Sequence, residues 1–208
     1  MLPTGTAKGP GKWKRGTDMK IAVDIDSTLH HHWDVVSDVS QRRFGVRLPY
    51  DEQLTWGFTR LRQEQLDVCV RESHSDARIM AGVPYAGAVE AVAEWHAHGH
   101  FVQVLSHPSA SCRRATAAWL EAIGLPFDDL QCPERRVEMC VREGIQLLID
   151  DSPLSIAGAL EHGIAAATLV HPWNEEVCDE EDVICARDWH QLAQLLAPVL
   201  GAPVAAGR

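Results

Sequence analysis

Three short, largely apolar runs of this chain end in residues suited to phosphoryl chemistry, and that repetition restricts the fold more than any other feature. Met19 to Val23 runs into Asp24-Ile25-Asp26-Ser27-Thr28, Phe101 to Leu105 into Ser106, and Leu147-Leu148-Ile149 into Asp150-Asp151. In an open parallel sheet, ligands bind just beyond the carboxyl ends of the strands, so these side chains are expected around one crevice. The intervening sequence supplies the helices that such a sheet needs. Helical spacing runs from Pro84 and Gly87 to Gly99, from Cys112 to Ile123, from Pro133 to Glu143, from Pro153 to His162, and from Asp188 to Leu196. Further strands are expected at Asp129 to Cys132, Ile145 to Ile149 and Ala165 to Val170. Alternation of this kind gives a doubly wound α/β fold, a parallel sheet flanked by helices.

Between the first strand and Pro84 the pattern changes. Val35, Val36 and Val39 lead to Phe44 with Gly45 as a stop, and Leu61, Leu66, Cys69 and Val70 make a second helical stripe. A core over 18–32 and 84–198 with a small helical cap over 33–83 is the expected organisation. Residues 1–17, rich in Gly, Lys, Thr and Pro, read as a flexible basic tail. The chain has 208 residues, long enough for one buried core and an insertion. Its formal charge of -10 divides into +4 up to residue 20 and -14 beyond, which argues against a nucleic-acid polymer as partner. The six cysteines contain no C-x-x-C pair and are expected as reduced packing thiols. No run reaches the ~18 apolar residues of a membrane span, so no membrane partner is expected and a cytoplasmic location is. Nothing in the sequence fixes an oligomeric state.

Attack on a phosphate monoester needs a nucleophile, a proton donor for the departing oxygen, and cations against the charge of the transferring group. Asp24 can supply the first. Asp26 can act as general acid toward the leaving oxygen and later as base toward water. Carboxylates converging at one point repel unless a divalent cation lies among them, and oxygen ligands favour Mg²⁺. Asp24 with Asp150 and Asp151 are the candidate ligands.

Asp24-x-Asp26-x-Thr28, Ser106 and Leu147-Leu148-Ile149-Asp150-Asp151 resemble, in order and spacing, the motifs of the haloacid dehalogenase-like (HAD) phosphatases over roughly residues 19–189. Within that superfamily the cap position, the Ser106-His107-Pro108 turn and the Ile-Asp-Asp-Ser ending are most similar to the 5'(3')-deoxyribonucleotidase-like group. The resemblance implies an aspartyl-phosphate on Asp24, a backbone carbonyl of Asp26 and the carboxylate of Asp151 on Mg²⁺ with Asp150 in support, and phosphate binding at Ser106 and His107. It implies a small phosphate ester as substrate, such as a nucleotide or a sugar phosphate. One departure stands out: the family's Lys before the last motif is missing, because no Lys follows Lys20. Arg136 has the spacing to replace it, with Arg135 as the other candidate. A chain that keeps the fold but has lost turnover is the reading this departure motivates.

His30-His31-His32 is expected to line the cap hinge rather than hold zinc, since three adjacent histidines do not point at one ion. Trp33, Tyr50, Trp56 and Phe58 are candidates for cap core or for stacking on a nucleobase, and His171-Pro172-Trp173-Asn174 for closing the pocket.

Overall fold

The structure, a computed structural model, describes residues 18–106 and 111–200. The expected tail, over residues 1–17, and His107 lie outside the described residues. Six strands, β1 (Lys20–Asp24), β2 (Phe101–Leu105), β3 (Asp129–Gln131), β4 (Leu147–Ile149), β5 (Ala165–Leu169) and β6 (Val183–Ala186), form one sheet in the order β3-β2-β1-β4-β5-β6. All pairings are parallel. The chain therefore builds outward from β1 through β2 to β3, then returns to the other side of β1 for β4. The direction of winding reverses between β1 and β4, which is where open sheets of this type bind ligands.

The strands alternate their side chains between two packed layers. Ile21 and Val23 enter a cluster with Val104, Trp95 and Trp189, whereas Ala22 enters one with Leu105, Leu148 and Met139. Helices α4 (Ala88–Ala97), α5 (Arg113–Ala122), α6 (Arg136–Glu143), α7 (Pro153–Glu161) and α8 (Trp189–Leu200) connect and cover the strands. Two of the boundaries have local causes. Ser152 caps α7 by accepting from the Ser155 amide at 3.3 Å, with Pro153 preset for the first turn. α6 starts only at Arg136, not at Pro133, which puts the Arg136 side chain at the mouth of the sheet.

Between β1 and α4 the chain makes α1 (His32–Phe44), a 3₁₀ turn at Tyr50–Glu52, α2 (Gln63–Ser73) and α3 (Asp76–Met80). α1 stops where expected, with Gly45 at φ 65° in the left-handed region. This cap segment has its own apolar cluster of Trp33, Val36, Val39, Leu48, Leu61 and Cys69, completed by Trp173 from the turn after β5.

Two expectations need correction. β6 was not foreseen: its four residues follow the acidic run Asp179-Glu180-Glu181-Asp182, and as an edge strand it buries only alternate residues, Ile184 and Ala186. The cysteines are not all free thiols, because Cys178 and Cys185 are disulfide-bonded. The 3₁₀ turn Glu175–Asp179 brings Cys178 back beside the outward-facing Cys185, a proximity that sequence separation alone did not reveal. Cys69, Cys112, Cys132 and Cys140 remain free. Among the described residues, no helix is long and apolar enough to cross a membrane.

Candidate active site

Asp24 is the last residue of β1 and Asp150 and Asp151 directly follow β4, so the strand register places all three carboxyls at the point where the winding reverses. All are buried, and one oxygen from each lies within 4.8 Å of the others. Arg136 reaches them from the first turn of α6. Its Nη1 donates to Asp24 Oδ1 at 2.6 Å and to Asp150 Oδ2 at 2.7 Å. Arg135, by contrast, points outward toward Glu138 with its side chain 82% exposed. One helical step separates a residue inside the cluster from one in solvent.

Asp150 is already satisfied, because its Oδ1 accepts the Ser152 amide at 2.8 Å while Oδ2 accepts Arg136. Asp24 shares the same Arg136 Nη1. Burial, opposed in part by Arg136 and reinforced by Asp150 and Asp26, pushes Asp24 well above the usual carboxylate range. Burial, then the charges of Asp24 and Asp150, do the same to Asp151. Burial disfavours the charge of Arg136, but Asp24 and Asp150 more than compensate and hold it protonated. Three carboxylates against one guanidinium leave two formal negative charges in a buried space. Hard oxygen donors with that charge fit a divalent cation, with Asp24 and Asp151 as direct ligands and Asp150 holding Arg136 and the start of α7.

Asp26 has turned to different partners. The chain reverses after Ile25, whose carbonyl accepts the amides of Thr28, Leu29 and His30, and Ser27 takes φ 59° to make the turn. Asp26 Oδ2 accepts from His74 Nε2 at 2.7 Å, and Oδ1 lies 3.2 Å from His32 Nδ1 and 3.6 Å from His30 Nε2. His74 also faces the Val70 carbonyl through Nδ1 at 2.8 Å, so both ring nitrogens meet acceptors, which favours the doubly protonated ring. Burial opposes that charge, yet Asp26 raises the His74 pKa overall. Burial likewise opposes the charge of Asp26, and His32 and His74 outweigh it to hold its carboxyl well below the usual range. His30 and His32, two residues apart, share one face, whereas His31 turns to the Tyr85 hydroxyl at 2.8 Å. Nothing in the spacing of the sequence signals His74, which comes from the end of α2.

Ser106, at the end of β2, is 4% exposed, and its Oγ is 3.5 Å from Thr116 Oγ1. It lines a small cavity of about 20 Å³ beside Asp26, His30, His32 and His74. Asp24, Asp151 and Arg136 open instead into a cavity of about 760 Å³ between sheet and cap segment.

The HPWN turn after β5 has two uses. Asn174, fully buried, accepts the His171 amide at 2.7 Å and donates to the carbonyls of Asp151 at 3.1 Å and Leu169 at 3.0 Å, which fixes the backbone of Asp151. His171 faces the Ser27 carbonyl through Nε2 at 2.7 Å and the Tyr50 hydroxyl through Nδ1 at 2.6 Å. Burial lowers its pKa to about 4, so it is neutral, donating to Ser27 and accepting from Tyr50. Its ring stacks on Trp173 at 4.5 Å and 3°, Trp173 on Trp33 at 5.4 Å and 26°, and Trp33 on Phe58 at 5.0 Å and 7°. Trp33, Tyr50 and Phe58 are thus taken up by contacts within the cap segment and to the core. Trp56, 48% exposed in the cavity wall, is not.

Solved structures share this arrangement of elements. The fold is that of the HAD hydrolases. A HAD-family hydrolase from Deinococcus radiodurans R1, solved with bound phosphate and sodium, superposes with a TM-score of 0.64 at 17% identity, over 88% of this chain and 96% of that one. A predicted phosphoglycolate phosphatase from Haemophilus somnus gives 0.63 at 16% identity, over 88% and 98%. CbbY from Rhodobacter sphaeroides, in complex with phosphate, gives 0.57 at 15% identity, over 84% and 96%. None of the three is named as a nucleotidase, so the narrower resemblance finds no support among them. No family sequence model matches the chain, and no curated protein matches it in sequence.

Proposed function

We propose that the protein is a divalent-metal-dependent phosphatase of small phosphomonoesters, working through an aspartyl-phosphate on Asp24. The observation that carries this reading is the buried Asp24, Asp150 and Asp151 cluster, bridged by Arg136 where the sheet reverses its winding. Asp24 attacks phosphorus, the bond to the ester oxygen breaks, and that oxygen takes a proton. Water then attacks the acyl phosphate, releasing inorganic phosphate and restoring the Asp24 carboxylate. Arg136 positions Asp24 and offsets charge on the transferring group, the part played by Lys elsewhere in the fold family.

Asp24, Asp151 and the Asp26 carbonyl would hold a divalent cation, for which Mg²⁺ is the natural choice, and it would supply charge neutralisation that keeps both carboxyls ionised. Asp26 acts on the leaving oxygen and on the attacking water, with protons delivered through His74 and His32. Ser106, and His107 beside it, are proposed for phosphate contact. The substrate classes left by this chemistry are nucleoside monophosphates and sugar or other metabolite phosphates.

The test is phosphate release from a panel of monoesters with Mg²⁺ and with EDTA. Release that stops on chelation and returns with Mg²⁺ is expected. Release that survives exhaustive chelation removes the metal from the proposal, and no release from any ester leaves a HAD-fold protein without turnover.

A further inference from the structure

The 760 Å³ cavity in front of Asp24 is far larger than a phosphate, and its walls say what the rest of the substrate is. Beyond the carboxyl cluster they are mainly apolar, with charged groups from the start of α6. Val36, Leu66 and Val70 come from the cap segment, Leu154, 71% exposed, comes from α7, and Trp56 stands in the wall at 48% exposure. Trp33 and Phe58 stiffen the same wall, since their rings are stacked on each other.

The charges lining the cavity narrow the choice further. The arginines lining it are Arg135 and Arg136; Arg136 is committed to Asp24 and Asp150, and Arg135 stands at its exposed rim, 3.8 Å from Glu138. Among the described residues, a second phosphate or a carboxylate on the substrate would meet Glu134, Glu138 and Asp26, with Arg135, itself paired to Glu138, as the one cation not committed to the carboxyl cluster. Polyols need several side-chain hydrogen-bond partners. The NH2 group of Gln53, which lines the cavity, is spent on the Thr55 and Gly57 carbonyls, where it shapes the loop that presents Trp56.

We infer that the substrate is a phosphate monoester of a bulky alcohol with an aromatic or otherwise apolar body and no second anionic group. This rests on the phosphatase reading above and adds the class of leaving group to it. Covering about 55 Å² of a ring against these walls is worth roughly a factor of ten at ~25 cal/mol/Å².

Esters of primary alcohols keep leaving-group chemistry comparable, so the probes are 2-phenylethyl phosphate, glucose 6-phosphate and phosphoglycolate, each with Mg²⁺. With wild-type protein, kcat/KM for phenylethyl phosphate is expected to exceed that for either of the others at least tenfold. Trp56→Ala is expected to shrink that ratio at least threefold. Equal or reversed selectivity overturns this inference and leaves the phosphatase reading in place. If no ester is hydrolysed, the phosphatase reading falls, and calorimetry on Asp24→Asn still decides the pocket. Binding of phenylethyl phosphate at least tenfold tighter than glucose 6-phosphate supports an apolar site, and equal binding overturns it.

Discussion

Asp24 and Asp26 sit two residues apart at one strand end, yet their surroundings drive them in opposite directions. Asp24 lies among buried carboxyls with a single guanidinium, and its charge is disfavoured. Asp26 lies among three histidines from the turn and the cap segment, and its charge is favoured. Residues whose environments separate their titrations in this way divide the chemical roles between them. Here the division has a condition attached. On the proposed reading Asp24 would need a cation to offset the cluster before it could attack as a carboxylate, whereas the charge of Asp26 is settled by protein groups alone.

Removing the carboxylates is the strongest way to break that contrast. Asp24→Asn should lower turnover by roughly 10⁴-fold or more. It should not lower Tm, because it relieves repulsion in the cluster. Wild-type rates in this variant would remove Asp24 as nucleophile. Asp26→Asn should fail most severely with esters whose leaving oxygen needs a proton, and a uniform loss across leaving groups would take the acid role away from it.

The next test acts on the one cation inside the cluster. Arg136→Ala should reduce kcat/KM by about 2 to 4 kcal/mol, Arg135→Ala should change little, and Arg136→Lys should recover part of the loss. An Arg135→Ala variant that is dead while Arg136→Ala is normal would contradict the contacts seen here. A smaller effect is expected from the histidine side. His74→Gln keeps a hydrogen bond to Asp26 but removes the charge, so kcat should drop about tenfold with alkyl esters and much less with an aryl ester such as p-nitrophenyl phosphate. Equal losses on both would assign His74 a purely structural part.

His171 gives the mildest effect, and one that appears in stability. Its pKa is about 4 in the folded protein against an ordinary 6.5, so between those values the unfolded chain takes up a proton that the folded one refuses. Its contribution is complete above pH 6.5 and declines as pH falls toward 4, by at most about 3 kcal/mol. His171→Gln should therefore flatten the decline in Tm between pH 7 and 5. An unchanged slope would show that the ring is not buried neutral.

The parts of the site that were legible in the sequence are those tied to strand ends. Asp24, Asp150 and Arg136 are local in origin: two follow short apolar runs, and one opens a helix just before the second run. The parts that were not legible depend on the cap segment folding over the core. His74 reaches Asp26 across 48 positions, and Tyr50 reaches His171 across 121. Spacing carries no information about such contacts. The same reason explains Ser106. Its place at the end of β2 was readable, but its position beside the histidines follows from where the turn after Ile25 sends Asp26. β6 and the disulfide escaped because a four-residue edge strand behind a run of acids has almost no pattern of its own.

The stack of rings from His171 through Trp173 and Trp33 to Phe58 has a consequence in time. Its two halves are separated by about 115 residues, a span that takes roughly 6 to 23 s to synthesise at 5–20 residues per second. Throughout that interval Trp33 and Phe58 have each other but not Trp173, on whose ring Trp33 finally packs. The apolar cluster of the cap segment is therefore incomplete until the turn after β5 arrives. Nascent chains halted before His171 should be cut within 33–83 by protease, and chains that include Asn174 should resist; protection at both lengths would show that the cap segment closes without the stack.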